Sequence, residues 1–329
     1  MKSALKNLCL LTFIVLLIEG FNYRAAIAQS YPTKPIIVVL NSAPGSSADV
    51  VARLLSPILA KSLGQPVVLE NHSGSGGSLG LSKVARSAKD GYTLGLTGPQ
   101  LVIVPSLYKL PYDVVKDLTT ISIVADTILV LVVNADLPVR NVDELVTVAK
   151  ARENSKTLTF GSQGIGTVNH LSFEMFRSAT NINVLHVPYK GSDGFTTALV
   201  SGEIDSGVLA VSQVLPWVKS GKLRILSIVS SERTKLLPDT PTMAELGYKD
   251  AQLNASLSFI APTGTPREII DRLNHEISNT LKMSEVQSVL NASGFIIGDG
   301  SNSAAADMKV KQDTKRIANV ISRLKLKPE

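Results

Sequence analysis

The stretch VVLNSAPGSSADVVAR, residues 38–53, decides the fold, because an apolar strand runs into a Pro44–Gly45 turn and straight out into a helix. Such a junction leaves the first N–H groups of the helix without intrahelical partners, and the macrodipole adds positive potential at the same place. The result is an anion socket. Gly45 lets the backbone approach a ligand closely, and Ser46 and Ser47 add hydroxyl donors.

The same alternation continues outward. Strand-like apolar runs at Pro35 to Leu40, Val67 to Glu70, Tyr92 to Thr97, Leu129 to Asn134, Leu158 to Gly161, Val184 to Val187, Ser206 to Ala210 and Arg224 to Val229 alternate with helical patterns. These patterns lie near Ala48 to Leu63, Ser78 to Ser87, Val142 to Ala151, His170 to Thr180, Phe195 to Ser201 and Ser212 to Ser220. The order predicts an α/β protein with mostly parallel sheets covered on both faces. Asn141 with Glu144, and Thr265 with Pro266 and Glu268, read as helix starts of the capping-box kind, the second opening a long helix from Pro266 to Met283. The apolar stretches Ile128 to Val133 and Leu257 to Ala261 read as crossings between domains. They set residues 134–254 as a domain inserted into one made of residues 29–133 and 255–329, with a hinge of two antiparallel crossings.

Residues 1–28 read as a secretory signal peptide: Lys2 and Lys6 precede the apolar run Leu8 to Ile18, and Ala26-Ile27-Ala28 supplies a small-x-small cleavage site. That run is shorter than the roughly 20 apolar residues of a retained anchor. Cys9, the only cysteine, leaves with the signal, so the mature chain carries neither disulfide nor lipid. Without Lys2, Lys6, Arg24 and Glu19 the formal charge falls from +6 to +4. A chain 44% hydrophobic and 18% charged has enough apolar surface for two buried cores. Its Lys and Arg residues are scattered without aromatic interleaving, which argues against nucleic acid, and the basic tail from Lys315 to Lys327 reads as a solvated helix face. His72, His170, His186 and His275 are dispersed, which argues against a metal site.

A family resemblance rests on strings that occur in order along the chain. They are NSAPGSSAD, Leu63-Gly-Gln-Pro-Val-Val-Leu-Glu-Asn71, Gly74-Ser-Gly-Gly77, Asp90-Gly-Tyr-Thr93, Leu110-Pro-Tyr-Asp113, Gly161-Ser-Gln-Gly-Ile-Gly-Thr167 with His170, His186-Val-Pro-Tyr-Lys-Gly191, Gly221-Lys-Leu-Arg224, Leu237-Pro-Asp-Thr-Pro-Thr242 and Ala261-Pro-Thr-Gly-Thr-Pro266. Together they resemble the extracytoplasmic solute receptors of tripartite tricarboxylate transporters, often called the Bug family. The resemblance implies a periplasmic binding protein of the type II-like architecture, with two α/β domains joined by a two-strand hinge. A small organic carboxylate would lie in the cleft between them, with membrane transporter subunits as partners, no cofactor, no metal and no nucleic acid, in a monomer. A ligand-sensing module for a membrane signalling protein is the other reading left open.

Carried over residue by residue, the resemblance implies ligand contacts from Ser42, Ala43, Pro44, Gly45, Ser46 and Ser47, and from Thr97 and Gly98 beside Pro99. From the second domain it implies Ser162, Gln163, Gly164, Gly166, Thr167, His170 and Tyr189. Asp49 and Asp205 are grouped as structural residues near the site, since a carboxylate repels an anionic solute. His170 and Tyr189 keep their plainer readings as a helix-end hydrogen-bonding group and a packing residue. One helix N-terminus stabilises an anion by roughly 0.3–1 kcal/mol. Two sockets face to face, with several hydrogen bonds of roughly 1 kcal/mol each and water excluded by closure, approach the ~8 kcal/mol of micromolar binding.

The rival is a serine hydrolase, since Gly76-Gly-Ser-Leu-Gly80 satisfies G-x-S-x-G with Ser78 as nucleophile. Against it, a five-residue linker, Asn71 to Ser75, separates strand from motif, and only Asp271 and His275 remain to complete a triad. No catalytic residue is assigned. Three departures from the family pattern bear on the ligand: Ala43-Pro44-Gly45-Ser46 replaces Pro-Pro-Gly-Gly, Val208 and Leu209 replace a Phe-Asp pair, and no aromatic stands near Ser256.

Overall fold

The structure is a computed structural model and describes residues 31–152, 156–230 and 233–326. The expected signal peptide, with Cys9 and the cleavage position, falls outside these residues. In chain order the first elements are β1 Ile36–Leu40, α1 Ser47–Leu63, β2 Val67–Asn71, α2 Ser78–Ala85, β3 Thr93–Thr97, α3 Gln100–Leu107, α4 Val114–Asp117 and β4 Leu118–Thr127. There follow β5 Leu129–Asn134, α5 Val142–Ala151, β6 Thr159–Ser162, α6 Val168–Thr180, β7 Leu185–Pro188, α7 Ser192–Ser201, β8 Ser206–Ala210, α8 Val211–Lys219 and β9 Leu223–Ile228. The chain ends through β10 Ala255–Pro262, α9 Arg267–Leu281, α10 Ser284–Ala292, β11 Phe295–Ile297 and α11 Ser303–Leu324.

These strands form two sheets, of order β11-β4-β10-β3-β1-β2 and β7-β6-β8-β5-β9. The expectation of mostly parallel sheets is corrected to mixed ones. β1 pairs parallel with β2 and β3, and β6 with β7 and β8, but β10 runs antiparallel to both β3 and β4, and β5 antiparallel to both β8 and β9. The physical reason is connectivity: β5 and β10 enter each sheet from the other one, without the crossover helix that makes a parallel neighbour.

The apolar stretch expected as the outbound crossing, Ile128 to Val133, lies almost wholly in β5 of the second sheet. Ile128 alone joins β4 to β5; its N–H donates to Gly294 O at 3.1 Å and its carbonyl accepts from Val211 N at 2.9 Å. Leu257 to Ala261 lies in β10 of the first sheet, and the return passes through the segment between Ile228 and Ala255. Ser230 ties the two passages together, its Oγ accepting from Leu129 N at 3.1 Å and donating to Thr127 O at 3.4 Å.

Alternation along β1 feeds two cores: Val38 and Leu40 pack with α1 and α9, while Val39 packs with Leu81 of α2 and Leu101 of α3. The second sheet has its own pair of cores, one around the stacked rings of Phe160 and Phe173, 4.0 Å apart, and one around Phe195. A fifth cluster joins the sheets, with Leu107 of α3, Leu171 and Met175 of α6, and Ile317 and Ile321 of α11 buried together. Each such side chain contributes about 1.5–3 kcal/mol by leaving water. Among the described residues no helix is long and apolar enough to cross a membrane.

Of the two capping boxes, that at Asn141 forms, with its side chain accepting from Glu144 N at 2.8 Å and Arg140 N donating to Glu144 Oε2 at 2.7 Å. The one at Thr265 does not. Its hydroxyl turns back to Pro262 O at 2.8 Å, so α9 begins behind Pro266 without a side-chain cap.

Candidate functional site

Strand direction fixes where the loops meet. β1, β2, β3 and β4 run the same way, and the chain leaves the first sheet at the C-terminal end of β4. It enters the second sheet at Leu129, which pairs with Ala210 at the C-terminal end of β8, and β6 and β7 point the same way as β8. The carboxyl edges of both sheets therefore lie on either side of the crossing, and a crevice at the carboxyl ends of strands is where α/β folds hold ligands.

Loop one follows β1. Gly45 takes φ +79°, a conformation that glycine adopts without strain, and a side chain placed there meets nothing within 4 Å. Ser46 caps α1 by accepting from Asp49 N at 3.3 Å, and its Oγ lies 2.7 Å from that of Ser42. Asp49, 3% exposed, is the hub: Oδ2 accepts from Gly45 N at 2.9 Å and Arg53 Nε at 2.8 Å, and Oδ1 from Arg53 Nη2 and Asn71 Nδ2, both at 3.1 Å. The Arg53 guanidinium holds this carboxyl below the usual range, and Asn71 also donates to Ser42 O at 3.1 Å. Asp49 thus consumes the Gly45 N–H, and Ser46 Oγ is shared between Asp49 N and Ser42 Oγ. Ala43 and Pro44 are exposed at its tip.

Loop two follows β6 and is held by neutral groups. Thr167 caps α6 by accepting from His170 N at 3.4 Å, and its hydroxyl donates to Gly164 O at 2.7 Å. Gly166 N donates to His170 Nδ1 at 3.2 Å, Gly164 N donates to Ser162 Oγ at 3.1 Å, and that hydroxyl lies 2.7 Å from His186 Nε2. The two imidazoles stack at 4.2 Å, with Phe160 4.6 Å from His186. Burial, then the neighbouring His186 and Arg177, push His170 down to about 3; burial, then Arg177, pushes His186 down to about 4. Behind them Glu174 takes Arg177 Nη2 at 2.6 Å, with His170 Nε2 at 4.0 Å.

The description of the histidines as dispersed is therefore corrected for His170 and His186. Sixteen residues apart in sequence, they meet because β6 pairs with β7 in a register that sets Phe160 opposite His186. His186 and Asn71 were absent from the expected contacts; the only sequence signal for either was its place in a family string. Among the described residues no cluster of three ligating side chains is arranged for a metal.

The remaining expected residues divide. Thr97 ends β3 with its hydroxyl buried and unpartnered, and Gly98 and Pro99 lead directly into α3. Tyr189 joins loop two through its N–H to Ser162 O at 2.9 Å, but its hydroxyl turns to Glu203 Oε1 at 2.8 Å, and burial with Glu203 raises it to about 12. Gln163 is half-buried within loop two. Asp205 is not beside the site. It binds Thr159 N and Oγ1, both at 2.8 Å, at the amino end of β6, three residues or roughly 10 Å from Ser162.

Loops one and two share no hydrogen bond among the described residues. Loop two is instead tied to the first sheet through α3, where a Cβ on Gly166 would come 2.5 Å from Leu107 Cδ1. Val208 and Leu209 are fully buried, and Val208 O accepts from Asn169 Nδ2 at 2.7 Å. The hydrolase triad does not assemble: Asp271 takes Arg267 Nε at 2.9 Å, His275 lies 2.8 Å from Asn279 Nδ2, and the contact that involves Ser78 is Tyr112 Oη donating to its backbone carbonyl at 3.2 Å.

Comparison with known proteins gives a consistent result. Residues 51–326 match the family described as tripartite tricarboxylate transporter family receptor. Protein BugT of Bordetella pertussis is 38% identical over 270 residues, which cover 81% of this chain and 82% of that protein. A solved R. palustris protein with adipate superposes with TM-score 0.80 at 28% identity, over 91% of this chain and 100% of the other. MatC from Rhodopseudomonas palustris, with bound malate, gives TM-score 0.76 at 28% identity over 88% and 100%.

Proposed function

The chain belongs to the tripartite tricarboxylate transporter receptor family, and from that membership we propose that it captures a small organic carboxylate and presents it to a membrane transporter. The observation that carries the reading is the pair of strand-to-helix loops, residues 42–47 and 162–167, on facing carboxyl edges of two sheets linked at Ile128. Such loops offer N–H and hydroxyl donors to an anion from both sides. The relatives solved with adipate and with malate support a dicarboxylate of four to six carbons as the first class to test. In this reading the protein works in the periplasm after cleavage behind Ala28, as a monomer whose two bodies, one around each sheet and divided at Ile128 and again ahead of β10, close on the solute. Ligand binding favours the closed population, and the transporter reads that population.

The test is thermal unfolding of the mature protein, refolded from denaturant to strip bound solute, against adipate, malate, tricarboxylates, aromatic acids and amino acids. A ligand at 100 times its dissociation constant adds about 2.7 kcal/mol of stability. A dose-dependent shift with one acid class, lost in Gly45→Val and in Gly164→Val, is the expected result; no shift with any acid overturns the reading.

A further inference from the structure

The G-x-S-x-G string from Gly76 to Gly80, which builds no triad, starts α2 at the carboxyl edge of the first sheet, one strand over from loop one. No side chain caps this helix, so the partial positive charge of its first N–H groups is left to its surroundings. Its glycines allow a close approach to the residue that follows β1. A Cβ on Gly77 would come 2.7 Å from Asn41 Nδ2, and one on Gly80 would come 2.7 Å from Asn41 Cα. The Asn41 amide is thus aimed at the start of α2.

Asn41 is 4% exposed, yet among the described residues neither its Nδ2 nor its Oδ1 has a hydrogen-bond partner. The β1–β3 register that sets Leu40 opposite Leu96 brings Thr97 beside it, with a hydroxyl that is likewise buried and unpartnered. Buried polar atoms without partners are rare, because each gives up its bonds to water for nothing. These are chemically mixed: the amide nitrogen and the helix start donate, Asn41 Oδ1 accepts, and the Thr97 hydroxyl does both. The place also adjoins the crevice. Gly76 at its mouth is exposed, and a Cβ there would lie 3.4 Å from the ring of Tyr108, just past α3. The preceding residue, Leu107, is the one that meets Gly166 of loop two. One end of α3 therefore touches both the start of α2 and the loop of the second sheet.

We propose that the start of α2, with Asn41 and Thr97, seats one end of the solute, and that this end is a carboxylate with a neighbouring hydroxyl, as in a 2-hydroxy acid. The proposal rests on the receptor reading above and narrows it. The carboxylate accepts from the helix start and from Asn41 Nδ2, while the hydroxyl donates to Asn41 Oδ1 and accepts from Thr97. A plain dicarboxylate brings no donor and leaves Oδ1 unpaired, which is how a site built for a hydroxyl rejects the analogue without one.

The experiment is calorimetric titration of the refolded mature chain with malate and succinate, and with 2-hydroxyadipate and adipate, pairs that differ by one hydroxyl. In at least one pair the hydroxy acid is expected to bind about tenfold more tightly, ~1.4 kcal/mol. In Asn41→Ala that ratio falls to about 2 or less, a readout that does not depend on how much of the sample folds, and in Thr97→Val it falls part of the way. Gly76→Asp and Gly76→Asn both suit the φ of +63° at this exposed residue, but only the first adds a charge at the mouth. Gly76→Asp is expected to bind both acids of the pair about tenfold more weakly than Gly76→Asn does. Equal binding within both pairs, a ratio unchanged in Asn41→Ala, or equal binding by the two Gly76 variants overturns the proposal. Binding of another acid but of neither pair also overturns it and leaves the receptor reading standing, whereas a chain that binds no acid of the wider panel overturns both.

Discussion

Loop one and loop two perform the same task at the head of a helix with opposite electrostatics. Loop one is organised by a charge, the Asp49 carboxylate that gathers Gly45, Arg53 and Asn71. Loop two is organised by two imidazoles that stay neutral, one holding Gly166 N and the other facing Ser162 Oγ. A charged hub costs desolvation but accepts several donors at once; a neutral pair avoids placing a permanent charge beside an anionic solute. The difference teaches that the polarity a strand-to-helix loop presents is set as much by what holds it from behind as by its own glycines.

The largest way to break the contrast is acid. Both imidazoles titrate far below the ordinary value of about 6.5, so the unfolded chain binds their protons first and stability falls as the pH drops below that value. At pH 5 the loss approaches roughly 2 kcal/mol per imidazole, less for His186, the more exposed of the two. Melting temperatures from pH 8 to 5 read it, and the combined His170→Asn and His186→Asn variant flattens the slope. An unchanged slope in that variant assigns the acid sensitivity elsewhere. Loop one responds in a lower window. Asp49 is held below its ordinary value by Arg53, so its contribution is present above that value and is lost only as the pH falls through the depressed one.

The next effect is Asp49→Ala, which leaves Gly45 N, Asn71 and Arg53 without their shared acceptor and costs about 3 kcal/mol by denaturant unfolding. A loss below about 0.5 kcal/mol contradicts the charged hub. Gly166→Ala sharpens the comparison, because it adds a methyl against Leu107 at a residue with φ +77°. About 2 kcal/mol is expected in the unmodified chain and less when the same change is made in a Leu107→Ala background, whereas strict additivity of the two changes contradicts the contact. The smallest effect is Ser230→Ala at the crossing. Losing its two hydrogen bonds costs about 1 kcal/mol of stability and shifts the open-to-closed balance, readable as changed solute affinity with loops one and two intact.

Much of this was legible in the sequence. The β1-to-α1 junction carried its own signal in an apolar run and Pro44–Gly45, but Ser46, read as a hydroxyl donor to a ligand, also caps α1 by accepting from Asp49 N. The strand β4 did not stand out, since the run from Ile121 to Val133 holds two strands of different sheets with only Ile128 between them and no Gly or Pro to mark the break. Helix α3, with Pro105 inside and no polar face, carried no amphipathic period, and α11 showed only as a basic tail. Pairing of His170 with His186 depends on strand register, which local sequence does not encode. Asp205 likewise bonds Thr159 because β8 pairs with β6 in a register that sets Ser206 opposite Phe160.

The central position of β10 has a bearing on synthesis. Residues 129–228 supply every strand of the second sheet in one continuous stretch, but β3 and β4 of the first sheet are joined only through β10, which follows more than a hundred residues later. A chain emerging from a ribosome or an export channel therefore completes its later sheet while, in its earlier one, one edge of β3 and both edges of β4 are still bare. The oldest part of the nascent protein is the last to be finished, and that interval is when a holding chaperone has something to protect.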